Sequence, residues 1–275
     1  AGAPAGVVNV VQGAAEVASK LTTHPDINGI LFTGSWPVGR RILEANLDHP
    51  GRIVALEMGG NNPAVVMPDC DLRQAVIECA RSAFITTGQR CTCTRRIIVH
   101  ESIAERFTAA LCKVASNMVI GDPLAEHPVF MGPIISGEAR EAVLTAQRDF
   151  AAAGGEVLVE STAVESESGG YYLSPGVMRV ERFTIESEGS AGCDREVFGP
   201  LVRVSTTDSF DGALAQANAT RFGLAASVFT KDQTLAERFY AEAPAGCINL
   251  NAGPAGAPRK LPFGGLGHPG PHRPA

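Results

Sequence analysis

Two cysteines stand one residue apart among three arginines in ITTGQRCTCTRR, residues 85–96. A thiolate is a strong nucleophile and a metal ligand, so both chemistries are open to this pair. A closed zinc site needs four ligands, and no second Cys/His pair stands at a familiar spacing elsewhere in the chain. Cys91 follows Gly88 and Gln89 at an expected helix-to-strand junction, where backbone amides and Arg90, Arg95 and Arg96 would favour a thiolate. On spacing alone, the nucleophilic and structural readings of Cys91 stand level. Cys70, Cys79 and Cys112 fall in helical patterns and read as small buried apolar residues.

Two further stretches carry possible chemistry. In LEMGGNNP, residues 56–63, Glu57 ends an apolar strand and is followed by Gly59 and Gly60. A carboxylate there is placed to face a cleft, because ligands gather at the carboxyl ends of parallel strands. A surface ion pair is the commoner fate of such a residue. In FTGSWPVG, residues 32–39, a strand runs into Gly34, Ser35 is positioned to cap a helix, and Pro37 suits its first turn. Such a helix start can receive a phosphate, although the rest of a dinucleotide fingerprint is missing.

The elements that must hold these residues follow from the patterning. Eight strand-like runs (GILFTG, GRIVALEMGG, PAVVMP, RRIIVH, GEVLVE, GPLVRVST, LAASVFT and GCINLN) alternate with helical stretches. That alternation predicts an α/β protein with a largely parallel sheet. Apolar residues at helical spacing predict a helix over about 71–87, capped by Asp69 or Asp71 and stopped by Gly88, with others over 102–118 and 209–219. Residues 164–176 read as an exposed loop, and residues 251–275 are too rich in Gly and Pro to predict regular structure.

Composition narrows the function classes. A chain of 275 residues with 45% hydrophobic content buries a sizeable core and reads as a soluble globular protein. A net charge of −6 without a long basic run argues against nucleic acid and anionic membrane surfaces, leaving small molecules as partners. No apolar run approaches a bilayer span, and the N-terminus lacks the charged region of a signal peptide. Seven cysteines without framework spacing suit a reducing compartment, so the cytoplasm is expected.

Taken in order, FTGSWPVG, LEMGGNNP, GQRCTCTRR, EVFGP (196–200) and PFGG (262–265) resemble the aldehyde dehydrogenase superfamily across nearly the whole chain. MGGNNP, GQRCTCTRR and the closing HRP at 272–274 look most like the branch acting on N-succinylglutamate 5-semialdehyde. The resemblance implies an aldehyde dehydrogenase-like α/β fold. Residues 1–57 would be a partial Rossmann-type NAD-binding domain, 58–250 the catalytic domain, and 251–275 a tail returning towards the active site. It makes Cys91 the nucleophile, Glu57 the general base and Cys93 a neighbour. NAD is the implied cofactor: Gly34, Ser35, Trp36, Pro37, Val38 and Gly39 match the pyrophosphate-receiving stretch, Glu196 the residue holding the nicotinamide-side ribose, and Phe198 the ring region.

An acidic semialdehyde, with glutamate semialdehyde as the alternative, needs cations. Arg90 beside the nucleophile and Arg273 in the tail are the candidates, while Arg95 and Arg96 read as ion-pairing strand residues. Glu57 argues against a CoA-acylating relative. Trp36 and Pro271 depart from the usual family residues. The family carries, ahead of the part matching residues 1–10, an oxyanion Asn and a ribose-binding Lys, and it carries a subunit-pairing strand after HRPA. The sequence is therefore expected to be a fragment lacking both ends. An inert fragment is the alternative to an active enzyme, and homo-oligomers are expected for the full-length form.

Overall fold

The computed structural model describes residues 2–256 and 260–270. The chain separates into two compact units, Ala1–Met58 and Gly59–Ala275.

In the first unit, helix α1 (Ala15–Thr23) precedes strand β1 (Gly29–Gly34), helix α2 (Trp36–Ala45) and strand β2 (Ile53–Met58). The two strands pair in parallel, with Gly29 opposite Ile53 and Gly34 opposite Met58, so α2 is the crossover of a βαβ motif. Ile30, Ile42, Leu56 and Met58 form its small core, with Trp36 and Phe32 packed against it. A Cβ on Gly39 would overlap the Met58 sulfur, so this glycine lets α2 lie directly on β2. Period-two alternation leaves Leu31, on the other face of β1, 86% exposed.

The second unit begins with β3 (Asn62–Val66), α3 (Leu72–Phe84), a 3₁₀ turn (Ile85–Gly88), β4 (Thr94–His100), α4 (Glu101–Ser116) and α5 (Gly137–Ala152). Next come β5 (Glu156–Val159), β6 (Ala163–Val164), β7 (Tyr172–Leu173), β8 (Gly176–Arg179) and β9 (Leu201–Thr207). It closes with α6 (Phe210–Asn218), β10 (Phe222–Gly223), β11 (Ala225–Phe229), α7 (Gln233–Glu242), β12 (Cys247–Leu250) and β13 (Leu266–Gly267).

Seven strands form one sheet in the order β12-β11-β3-β4-β9-β8-β5, parallel except where β5 runs against β8. Alternate residues serve opposite cores. Val65 and Ile98 join Phe150 of α5, Ala213 of α6 and Phe239 of α7. Ala64, Val66, Ile97 and Val99 join Cys79 of α3 and Phe107 of α4. With both faces covered, the central strands are apolar throughout, which is why they read as continuous runs in the sequence.

Three expectations need correction. The helix over 71–87 ends at Phe84, because Thr86 and Thr87 take left-handed backbone (φ 52° and 56°) that no α-helix continues through. Asp71 is its cap, accepting from Gln74 N at 3.0 Å, while Asp69 accepts from Thr230, Lys231 and Asp232. The supposed loop 164–176 falls largely within a β6–β7 hairpin that begins at Ala163, with Tyr172 and Leu173 buried. The Gly/Pro-rich tail contributes β13, paired antiparallel with β10. Such two-residue strands come from tertiary pairing rather than local pattern. No helix among the described residues is long and apolar enough to cross a membrane.

Candidate active site

In the first unit, parallel pairing sets Glu57 beside Thr33 at the carboxyl ends of β1 and β2, one residue before Gly34 hands over to α2. Glu57 is half-buried. Its Oε2 is buried with no hydrogen-bond partner among the described residues, and burial pushes the carboxyl above its ordinary value. Ser35 occupies the N-cap position and Pro37 the first turn, but the Ser35 hydroxyl makes no capping bond. Gly34, Ser35, Pro37 and Val38 are exposed, Trp36 is half-buried and Gly39 is buried. A helix start with an uncommitted cap and exposed first turn fits an anionic pyrophosphate.

In the second unit, the GGNNP segment holds the cysteine loop. Gly60 N donates to Glu196 Oε1 at 2.9 Å, and a Cβ on Gly59 would overlap the same carboxylate. A Cβ on Gly60 would overlap the Cys91 carbonyl oxygen. Asn61 donates to Asp194 Oδ1 at 2.8 Å; that buried carboxylate also accepts from the Thr220 hydroxyl and Arg221 N. Asn62 Nδ2 donates to the carbonyls of Cys91 and Cys93 at 2.7 and 2.8 Å, and its Oδ1 accepts from Ala225 N at 3.0 Å.

The loop itself is entered through three consecutive left-handed residues, Thr86, Thr87 and Gly88. β-Branched residues adopt this region at a cost of about 1–3 kcal/mol each, and only when their surroundings impose it. Here Thr87 Oγ1 donates to Gly132 O at 2.9 Å, and Gln89 Oε1 accepts from Ile135 N at 2.9 Å. A Cβ on Gly88 would overlap the Gly199 carbonyl.

This path leaves the two cysteines in different settings. Cys91 is half-buried, whereas Cys93 is wholly buried, its thiol directed at Ile85 O at 3.8 Å. Burial pushes the Cys93 thiol up, against the opposing pull of Arg95 and Arg90. Burial also raises the thiols of Cys70, Cys79 and Cys112, although Cys70 and Cys112 are half-buried rather than enclosed.

The arginines divide by exposure. Arg90 is exposed and donates to Thr86 Oγ1 at 3.1 Å and Ala255 O at 3.2 Å. Arg95 and Arg96 are structural, but among the described residues neither forms the expected ion pair. Both are buried where backbone carbonyls are the available acceptors. Arg95 donates to Gly199 O and Arg90 O at 3.1 and 3.0 Å, with its guanidinium 5.5 Å from the Phe198 ring. Arg96 donates to Asn61 O and to Gln216 O and Ala217 O in the last turn of α6, where a cation complements the helix dipole.

Burial raises the Glu196 carboxyl, opposed by Arg95 and the Gly60 N–H, and Phe198 is 46% exposed. The second unit thus gathers Arg90, Cys91, Glu196 and Phe198 around Gly60 and Arg95. Arg273 lies outside the described residues. No group of three or more His, Cys, Asp or Glu among the described residues is placed to hold a metal.

Sequence reasoning did not assign roles to Asn61, Asn62 or Asp194. The available signal was two adjacent asparagines at the start of a strand that is otherwise apolar, since buried amides require partners.

The chain matches the Aldehyde dehydrogenase family over residues 1–274. It is 42% identical over 276 residues to the N-succinylglutamate 5-semialdehyde dehydrogenase of Hahella chejuensis, covering all of this chain and 55% of that protein. The fold matches the crystal structure of gamma-glutamyl-gamma-aminobutyraldehyde dehydrogenase from Burkholderia cenocepacia J2315 with a TM-score of 0.91 at 35% identity, covering 99% of this chain and 54% of that one. Betaine aldehyde dehydrogenase from Staphylococcus aureus, in complex with NAD+, matches with a TM-score of 0.86 at 26% identity, covering 96% and 51%. The chain spans about half the length of these relatives. From the cysteine loop on its asparagine anchor to the parallel sheet beneath it, the chain belongs to the aldehyde dehydrogenase family.

Proposed function

We propose that this chain is the cysteine-bearing part of an enzyme that oxidises N-succinylglutamate 5-semialdehyde to N-succinylglutamate with NAD. The contrast between the two cysteines carries this reading: the strained, clamped loop leaves Cys91 within reach of solvent and seals Cys93 inside. The names of relatives about 40% identical to this chain support the substrate. The first unit takes the role of a partial cofactor domain and the second that of the catalytic domain, with residues 251–275 returning towards the site. Subunit association is assigned to the full-length form, and the cytoplasm to the cysteine usage.

In this mechanism the Cys91 thiolate adds to the aldehyde carbon, giving a thiohemiacetal. Loss of hydride from that carbon leaves a Cys91 thioester. NAD, when bound, supplies the hydride acceptor. Residues 34–39 at the start of α2 would hold its pyrophosphate and Glu196 its nicotinamide-side ribose, with Phe198 assigned to the ring region. Glu57 then takes a proton from water, and the resulting nucleophile hydrolyses the thioester to the acid and restores the thiol. Its burial fits this role, since a raised carboxyl is a better base than an ordinary one. Arg90 and Arg273 bind the substrate carboxylates as charged forks.

The test is reduced-nicotinamide formation by the enzyme at its relatives' full length, supplied with the succinylated semialdehyde, glutamate semialdehyde or a neutral aldehyde of similar length. NAD and NADP are compared in parallel. The succinylated substrate with NAD is expected to win by kcat/KM, and Cys91→Ser to abolish turnover. Equal use of the neutral aldehyde removes the substrate assignment, and an active Cys91→Ser variant removes the mechanism.

A further inference from the structure

We infer that Asn62 and Arg95 are positioning residues that turn two backbone N–H groups of the nucleophile loop towards the outer side of Cys91; this rests on the assignment of Cys91 above. Arg95 is 2% exposed and donates from Nη2 to the Arg90 carbonyl at 3.0 Å; the same oxygen accepts from Cys93 N at 3.1 Å. Asn62 is 1% exposed and donates to the Cys91 carbonyl at 2.7 Å. Two adjacent carbonyls are therefore drawn towards buried donors.

In a trans peptide the N–H points opposite the carbonyl, and no cis peptide occurs among the described residues. Fixing the Arg90 carbonyl inward directs Cys91 N–H outward, and fixing the Cys91 carbonyl inward does the same for Thr92 N–H. Cys91 is itself half-buried rather than enclosed, so the loop is open to solvent at this residue. N–H groups turned this way would stabilise negative charge at Cys91, first on sulfur and then on the oxygen of the tetrahedral adduct.

Each anchor is itself fixed. Asn62 cannot rotate its amide without losing Ala225 N and the Cys93 carbonyl, and Arg95 is also tied to Gly199 O. Among the described residues, the charged groups bonded to the loop or its supports include Arg90 and Arg95 on its own segment and Glu196, bonded to Gly60.

The experiment uses the 275-residue chain and limiting iodoacetamide, with mass mapping of the label at neutral pH and again at alkaline pH. Asn62→Leu removes the donor and Arg95→Lys removes the fork, and neither changes net charge. Each is expected to slow Cys91 labelling at neutral pH by about 10-fold, with the deficit closing at alkaline pH, where the thiol is ionised regardless. Buried Cys79 reports folding, remaining unlabelled in a folded chain. If one variant exposes Cys79, the other decides; if both do, equilibrium labelling of the wild-type chain across mild denaturant is compared instead, and Cys91 must lose its rate advantage before Cys79 opens.

A variant that labels like wild type, or is slowed equally at both pH values, overturns the positioning role; so does a Cys91 advantage that persists until Cys79 opens. Failure of the underlying assignment looks different, because Cys91 would then show no advantage over the other cysteines in the wild-type chain.

Discussion

Glu57 carries an ionisation consequence separate from catalysis. Its carboxyl is raised by burial, so the folded state favours the protonated form more than the unfolded chain does. Its contribution to stability is therefore full below the unfolded carboxyl value and is lost as pH rises through the folded one. Glu57→Gln is expected to raise the Tm at neutral pH and to leave it unchanged near pH ~4. A Tm gain of equal size at both would show that desolvation of the carboxylate is not its source. At the same scale, Arg273→Ala in the full-length enzyme is expected to lower kcat/KM for the acidic semialdehyde by about 10- to 150-fold, the loss of one charged hydrogen bond of roughly 1.5–3 kcal/mol. A neutral aldehyde should be unaffected, and parallel loss on both substrates contradicts a carboxylate contact. The choice of Cys91 over Cys93 was legible only through motif resemblance; what separates them physically is burial, set by partners far away in sequence. Asn62 lies 29 residues from Cys91 and Asn61 lies 133 from Asp194, distances at which no local pattern operates.

Among the elements, the turn from α3 into the cysteine loop makes the firmest demand on its sequence. Gly88 has φ +67° and no room for a Cβ, which would meet the Gly199 carbonyl; Gly154 has φ +94° with nothing within 4 Å. Gly154→Ala is thus expected to cost about 1 kcal/mol of left-handed strain. Gly88→Ala carries that strain plus displacement of the EVFGP backbone, so its loss in denaturant unfolding should be clearly larger. Equal losses would mean that residues 199–200 yield freely. All eight strand-like runs correspond to strands; for β3, β4, β9 and β11 the reason is that a sheet covered on both faces demands uninterrupted apolar segments. Helices α1, α5 and α7 were not foreseen. The α7 helix buries only Ala236 and Phe239, too little for a clear periodic signal, although Asp232 caps it as expected of that residue type. In α5, Val143, Ala146, Gln147 and Phe150 do follow helical spacing, but the small alanine and the polar glutamine blur the apolar stripe.

At the scale of the whole chain, the two units differ sharply in what holds each together. The first has a core of four buried residues beneath a two-stranded sheet, while the second has two extensive cores around seven strands. Since local stability follows buried apolar contact, amides of β1 and β2 should exchange with deuterium well before those of β3, β4 and β9. Simultaneous exchange would indicate one cooperative unit. The α/β class and the family were legible in the order of the motifs; the division of stability was not, because it depends on how much surface each segment buries. Cys91 is the reactive centre on which the proposed chemistry depends, and brief treatment with limiting iodoacetamide followed by mass mapping tests it most directly. The label is expected on Cys91, with Cys93 unmodified while the chain stays folded; preferential modification of Cys93 would contradict Cys91 as the nucleophile.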